Sequence, residues 1–248
     1  MYKQLNLKHS LILTILIFCL STYVLAAEGD HAISRQKMVR VIEDLVKISP
    51  IHLGKETLSE KVLQVMTKVP RHSFVPENRK HRAYDNRPLS IGYGQTISQP
   101  YIVAIMTDLL DLKPESRVLE LGTGSGYQAA VLSGLVKEVF SIEIVEPLGV
   151  AAKERLALLG YDNVTVKVGD GYYGWEEEAP FDAIIVTAAG SHIPPPLSKQ
   201  LKVGGRMVIP VGTMFMTQQL LLVTKQDKDK LINRQILPVR FVPVTGGH

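Results

Sequence analysis

Apolar and polar residues recur along this chain with two different periods, and the changeover falls near Pro100. Before it, residues 33–48 place Met38, Ile42, Leu45 and Val46 on one helical face. Leu58 to Val69 predicts a second helix, which Pro70 ends. Thr57 followed by Glu60 has the spacing of a capping box at its start. Arg71 to Pro100 is rich in Pro, Gly, Arg, His and Asn and shows little periodicity. A stretch that long and irregular within a compact chain is uncommon unless it is functional.

After Pro100 the pattern becomes regular. Short apolar runs predict strands over Arg117–Leu121, Val139–Ile144, Val164–Val168, Ala183–Val186 and Arg206–Pro210. Helical patterns precede or separate them, at Tyr101–Leu110, Tyr127–Leu135, Leu148–Leu159 and Leu197–Leu201. Strands alternating with helices imply an α/β chain, doubly wound about a mostly parallel sheet, with two extra helices at the N-terminal side. The tail differs: Gln219–Thr224 and Arg234–Val239, joined by the polar Lys225–Lys230 stretch, predict a C-terminal antiparallel hairpin closing one edge.

Composition changes this picture at the N-terminus. Met1 to Ser10 carries Lys3 and Lys8 and no acid, Leu11 to Leu20 is an apolar run, and Val24-Leu25-Ala26 offers a cleavage site before Ala27. Those three regions make residues 1–26 a signal-peptide-like segment, with an uncleaved anchor or a later start at Met38 as the other readings. If it is used, the protein is periplasmic or exported; otherwise it is cytoplasmic. Its removal takes two lysines from a net charge of +4. The remainder is too mild, and too little clustered, for a nucleic-acid partner. Cys19 is the one cysteine, so a mature chain from Ala27 has no disulfide and no cysteine chemistry.

The candidate chemistry lies at the strand ends, where an open α/β sheet binds its ligand. Strand Arg117–Leu121 runs into Glu120-Leu121-Gly122-Thr123-Gly124-Ser125-Gly126-Tyr127. Glycines at alternate positions let a backbone turn tightly and approach a ligand closely. A dinucleotide fingerprint would carry its third glycine at Tyr127. The form here is E-x-G-x-G-x-G, which resembles the first motif of S-adenosylmethionine (SAM) methyltransferases. The next strand ends at Glu143, about 20 residues beyond the first glycine, the place for an acid that accepts ribose hydroxyls. The third ends at Gly169-Asp170-Gly171, either an ordinary turn or an acceptor for an adenine amino group. The fourth ends in small residues, Thr187 to Gly190. A Ser-His-Asp hydrolase is disfavoured because no G-x-S-x-G elbow is present. No His/Cys cluster has metal-ligand spacing, so no metal is expected.

Five further segments carry a narrower likeness: Val69-Pro-Arg-His-Ser-Phe-Val75, Ile91-Gly-Tyr-Gly-Gln-Thr-Ile-Ser98, Gly169–Gly174, Ala179–Val186 and Val239-Arg-Phe-Val-Pro243. With Val118–Tyr127 they resemble the protein-L-isoaspartate O-methyltransferases over residues 36 to 245 or so, and Ile91–Ser98 is the most diagnostic. The resemblance implies a Rossmann-like SAM methyltransferase sheet. It implies SAM-dependent methylation of the α-carboxylate of L-isoaspartyl residues in damaged proteins and peptides, which starts their repair to aspartyl. It also implies Ser98 as the catalytic residue and Gln95, Thr96, Ile97 and Ser98 as substrate-binding residues. Glu120, Gly122, Gly124, Gly126, Tyr127, Glu143, Asp170 and Gly171 would bind the cofactor. Residues 27–248 would then form one domain, 27–100 supplying helices and a substrate-covering segment and 101–248 the SAM-binding core. The expected partners are isoaspartyl proteins and peptides. The protein would be a monomer with no stable membrane association once the signal segment is cleaved. A second role for Ser98, N-cap of the Tyr101 helix, stays open, since Pro100 suits that position.

Overall fold

The computed structural model describes residues 29–48, 54–213, 217–244 and 246, so the signal-like segment 1–26 lies outside the described residues. Helix α1 (29–48) is longer than its apolar stripe. It buries Met38, Ile42 and Val46, with Leu45 only half-buried. Helix α2 (Glu60–Lys68) starts later than the sequence implies. Its N-cap is Ser59, not Thr57, and the cap is tertiary: Ser59 N donates to Asp108 Oδ1 at 2.7 Å. A carboxylate from another helix does the work that a local capping box would have done.

The irregular segment is ordered. Two 3-10 turns, Arg71–Phe74 and Glu77–Arg82, lead into a hairpin of β1 (Leu89–Gly92) and β2 (Gln95–Ile97), with Leu89 opposite Ile97. Its turn passes through Gly92, Tyr93 and Gly94, all with positive φ, a path in which only glycine is unstrained. Leu89, Ile91 and Ile97 point into the core.

The remaining elements are α3 (Pro100–Leu109), β3 (Arg117–Leu121), α4 (Tyr127–Ser133), β4 (Glu138–Glu143), α5 (Glu146–Leu158), β5 (Val164–Val168), β6 (Phe181–Val186), α6 (Pro195–Gln200), β7 (Leu201–Val211), β8 (Gln218–Asp227) and β9 (Lys230–Val239). The main sheet has the order β5-β4-β3-β6-β7-β8-β9. Its β5 to β7 portion is parallel, and β8 and β9 are antiparallel. Chain order reverses at β3, which lies between β4 and β6, so the ligand crevice belongs at the β3 carboxyl end.

Both faces are covered. Leu119 and Leu121 of β3 belong to one apolar cluster with Phe140, Ile184 and Met207. Val118 belongs to the larger one, which runs from Met38 to Ile236. This double burial explains why the central strands read as mostly apolar runs, interrupted by Glu120 in β3 and Ser141 in β4. The tail hairpin is longer than its apolar pattern. Lys225 is buried in β8, and its Nζ donates to the Ser198 and Leu201 carbonyls at 2.7 and 2.8 Å, closing the C-terminal end of α6. A lysine used as a helix C-cap disguised strand as loop.

Candidate active site

The β3–β4 register places Glu120 opposite Ser141. Ser141 Oγ donates to Glu120 Oε2 at 2.6 Å and lies 2.6 Å from Thr123 Oγ1. Glu120 is fully buried, and its Oε1 has no partner among the described residues. Burial raises its carboxyl from an ordinary 4.5 to about 8; the Ser141 bond opposes this and the charge of Glu143 adds to it. The group is therefore neutral below pH 8, directly under the glycine loop.

The loop's first glycine has φ +90°, and a Cβ there would collide with Thr187 Oγ1. Thr187 donates through that hydroxyl to the Leu121 and Gly122 carbonyls at 2.9 and 2.7 Å, which clamps the start of the loop to the end of β6. Gly126 has φ +88° and is the N-cap of α4. A Cβ there would lie 3.2 Å from Leu156 Cδ1, so its absence lets α5 pack beneath the loop. Glu143 closes the other side. Its Oε2 accepts from Gly124 N at 2.7 Å and its Oε1 from Val145 N at 2.9 Å. Asp170, two residues beyond β5, accepts from Tyr172 N at 2.9 Å, and Gly171 after it lines the cleft.

Gly122, Gly124, Glu143, Gly171, Gln95 and Thr96 line one narrow cleft of about 70 Å³, roofed by the tail at Val242–Val244. A neighbouring cavity of about 370 Å³ shares Thr96, Thr187 and Val242 with it and is lined by Ser98, Gln99 and Arg240. A larger hollow of about 430 Å³ lies by Lys55, Pro114 and Gly134, before the amino ends of β3 and β4. It is remote from every strand carboxyl end, and size alone does not make it the site.

A family model described as "Protein-L-isoaspartate(D-aspartate) O-methyltransferase (PCMT)" matches residues 48–248. The chain belongs to this family. It is 60% identical over 223 residues to protein-L-isoaspartate O-methyltransferase 2 of Syntrophobacter fumaroxidans, covering 90% of each chain. It is 63% identical over 209 residues to the protein of the same name from a Polaromonas species, covering 84% of this chain and 99% of that one. A solved protein-L-isoaspartate O-methyltransferase superposes with a TM-score of 0.76 at 30% identity, over 86% of this chain and 66% of that one. A putative one from Plasmodium falciparum, in complex with S-adenosyl-L-homocysteine, gives 0.69 at 26% identity, over 87% and 98%. Activity follows from membership: the chain is an enzyme that uses SAM to methylate L-isoaspartyl residues.

Of the residues expected from the sequence, Gln95, Thr96, Ser98, Gly122, Gly124, Glu143 and Gly171 line the two cavities, Gly126 and Asp170 belong to the adjoining loop and turn without lining either, and the side chains of three others lie elsewhere. Tyr127 is 1% exposed, packed edge-on against Phe74 at 5.6 Å and under the Arg71 guanidinium. Its side chain is core, because the first turn of α4 points inward. Ile97 is also core, because alternation along β2 turns it away from its exposed neighbour Thr96. Glu120 lies under the loop, hydrogen-bonded to Ser141, not in the cleft wall. Ser98 does not cap α3. The N-cap is Gln99, and Asn86 Oδ1 accepts from Tyr101 N at 3.1 Å. Thr187, Arg240 and the tail roof escaped residue-by-residue reading. The threonine looked merely small, and the tail comes from the far end of the chain.

Proposed function

We propose that Gly122, Gly124, Gly126, Glu143 and Asp170-Gly171 hold SAM, and that Ser98 orients an isoaspartyl α-carboxylate lying over Gln95 and Thr96. SAM supplies a methyl group on a positively charged sulfur, open to in-line attack. The loop main chain approaches the ligand where Gly122 leaves no room for a Cβ beside Thr187. Glu143 keeps lone pairs for ribose hydroxyls beyond those given to Gly124 and Val145.

One observation carries the choice of acceptor. No Asp, Glu or His lines the Ser98 cavity among the described residues, whereas Arg240 does. A hydroxyl or amine acceptor would need a base there. A carboxylate with a pKa near about 3.5–4 is already ionised and needs none. Ser98 then serves as donor to that carboxylate, and Arg240 complements its charge. Holding nucleophile and methyl in line supplies several of the required kcal/mol.

The deciding experiment offers SAM with an isoaspartyl peptide and its aspartyl twin. Base-labile methyl ester is expected on the first alone, and equal labelling of both would sink the reading. Turnover on an acceptor without a free carboxylate would favour a different small-molecule methyltransferase. Cofactor binding without any turnover would favour an inactive module. Ser98→Ala is expected to lower kcat/KM about tenfold to a hundredfold, with S-adenosylhomocysteine affinity unchanged. Because no base is used, kcat at saturating SAM should be flat between about pH 6 and 8. A rising limb with a midpoint near 7 would contradict it.

We also propose that residues 1–26 direct export and are removed, leaving 27–248 as one monomeric domain. The alternative start at Met38 would cut α1 in half. It would lose Arg35, whose Nε donates to the Thr67 carbonyl at 3.0 Å, and His31, which stacks on His72 at 3.8 Å. No helix among the described residues is long and apolar enough to cross a membrane. N-terminal sequencing of the native protein should read from Ala27; a start near Met38 would refute export.

A further inference from the structure

Arg71 is a fully buried cation, at 0% exposure, and no acid pairs with it among the described residues. A buried, uncompensated guanidinium costs several kcal/mol, so its retention needs a reason beyond filling space. Its Nε donates to the Ala83 carbonyl at 2.8 Å and its Nη2 to the Ser98 carbonyl at 2.7 Å, while Nη1 has no partner. Its central carbon, Cζ, lies over the Tyr127 ring, 4.7 Å from the ring centre. Tyr127 is the first residue of α4, directly after Gly126 of the cofactor loop. One guanidinium thus touches the backbone of the acceptor-orienting serine and the side chain that anchors the glycine loop. Burial lowers its pKa to about 10, which leaves it cationic at neutral pH, and raises the Tyr127 hydroxyl to about 12, which leaves that group neutral. The contact is therefore a cation against a neutral ring, the attractive arrangement.

We propose that Arg71 is a positioning residue that couples the two halves of the site, so that an ordered cofactor loop holds Ser98 in place for the acceptor and the acceptor in turn tightens the cofactor. The coupling is reciprocal by linkage. Lysine cannot replace it, since one ammonium has neither the fork for two carbonyls nor a plane for the ring. This inference rests on Ser98 as the acceptor-orienting residue. If the unaltered enzyme fails to methylate the isoaspartyl peptide, that reading fails first, before Arg71 is tested.

The test measures peptide affinity with and without S-adenosylhomocysteine, alongside kcat, in the full chain. The unaltered enzyme should bind isoaspartyl peptide about fivefold or more tightly in the presence of S-adenosylhomocysteine. In Arg71→Ala that factor should fall to near one and kcat by about tenfold or more. Millimolar guanidinium, but not equimolar urea, should restore both; Arg71→Lys should restore neither. Tyr127→Leu keeps both carbonyl bonds and removes the ring together with its hydroxyl, which donates to Met66 Sδ at 3.8 Å, so it should also lose the coupling. It serves as the deciding variant if Arg71→Ala does not fold. An unchanged coupling factor in the folded variants would overturn the proposal. So would a loss of kcat that guanidinium cannot rescue and that follows the fall in melting temperature.

Discussion

Replacing Glu143 with alanine is expected to weaken S-adenosylhomocysteine binding by about a hundredfold to ten-thousandfold. Two losses combine. In the proposed cofactor site the ribose hydroxyls would lose a charged acceptor, where each such hydrogen bond contributes about 1.5–3 kcal/mol. The loop also loses its tether, because the same carboxylate accepts from Gly124 N and Val145 N at 2.7 and 2.9 Å. The second loss makes Glu143→Gln informative. A glutamine has one oxygen and one NH₂ group. Whichever way it turns, the NH₂ meets a backbone N–H, of Gly124 or of Val145. The glutamine variant should therefore bind within about tenfold of the alanine variant, although it has the size and shape of the original side chain. Calorimetric titration of both variants checks this. A glutamine variant within about threefold of the unaltered enzyme would mean that the tether carries no weight.

Glu143 was legible because of where it stands. A strand such as Ile184–Val186 is buried on both faces, so it reads as an apolar run with a sharp end, and an acid at such an end stands out. The β1–β2 hairpin was not legible. Its strands are four and three residues long, and its turn is built from Gly92, Tyr93 and Gly94 with positive φ, which dilutes any alternation. Even so, Ile91 from this hairpin reaches the glycine loop, and a Cβ on Gly124 would lie 3.3 Å from its Cδ1. Arg71 and Lys225 were illegible for a different reason. Each is a buried cation whose hydrogen bonds go to backbone carbonyls, and carbonyls carry no residue identity. A sequence shows pairs of opposite charge, but not a charge that answers to main chain. Tyr127 and Ile97 differ in the opposite direction, expected at the site but with side chains buried in the core. They sit inside motifs, and a motif does not say which of its side chains face the ligand and which hold the motif in place.

Glu120 shows that division of labour most sharply, and Glu120→Gln is expected to stabilise the ligand-free protein at alkaline pH. The folded-state pKa is about 8 against an ordinary 4.5, with burial as the main cause. Between those values the folded state holds a proton that the unfolded chain has released, so stability falls as pH rises through the window. The contribution is fully present below 4.5 and lost above about 8, a swing on the order of 5 kcal/mol for a group this buried. Glutamine keeps the size and can still accept from Ser141 Oγ, but it does not titrate. The difference in unfolding free energy between variant and unaltered enzyme should therefore be small near about pH 5 and grow in favour of the variant towards about pH 8.5. All other titrating groups cancel in that difference. A difference that stays flat across the window would show that Glu120 is ionised under the loop in the folded state. Cofactor affinity should move the other way. The cationic ammonium and sulfonium of SAM favour an ionised carboxylate nearby, so the unaltered enzyme should gain affinity for SAM with rising pH and the variant should not.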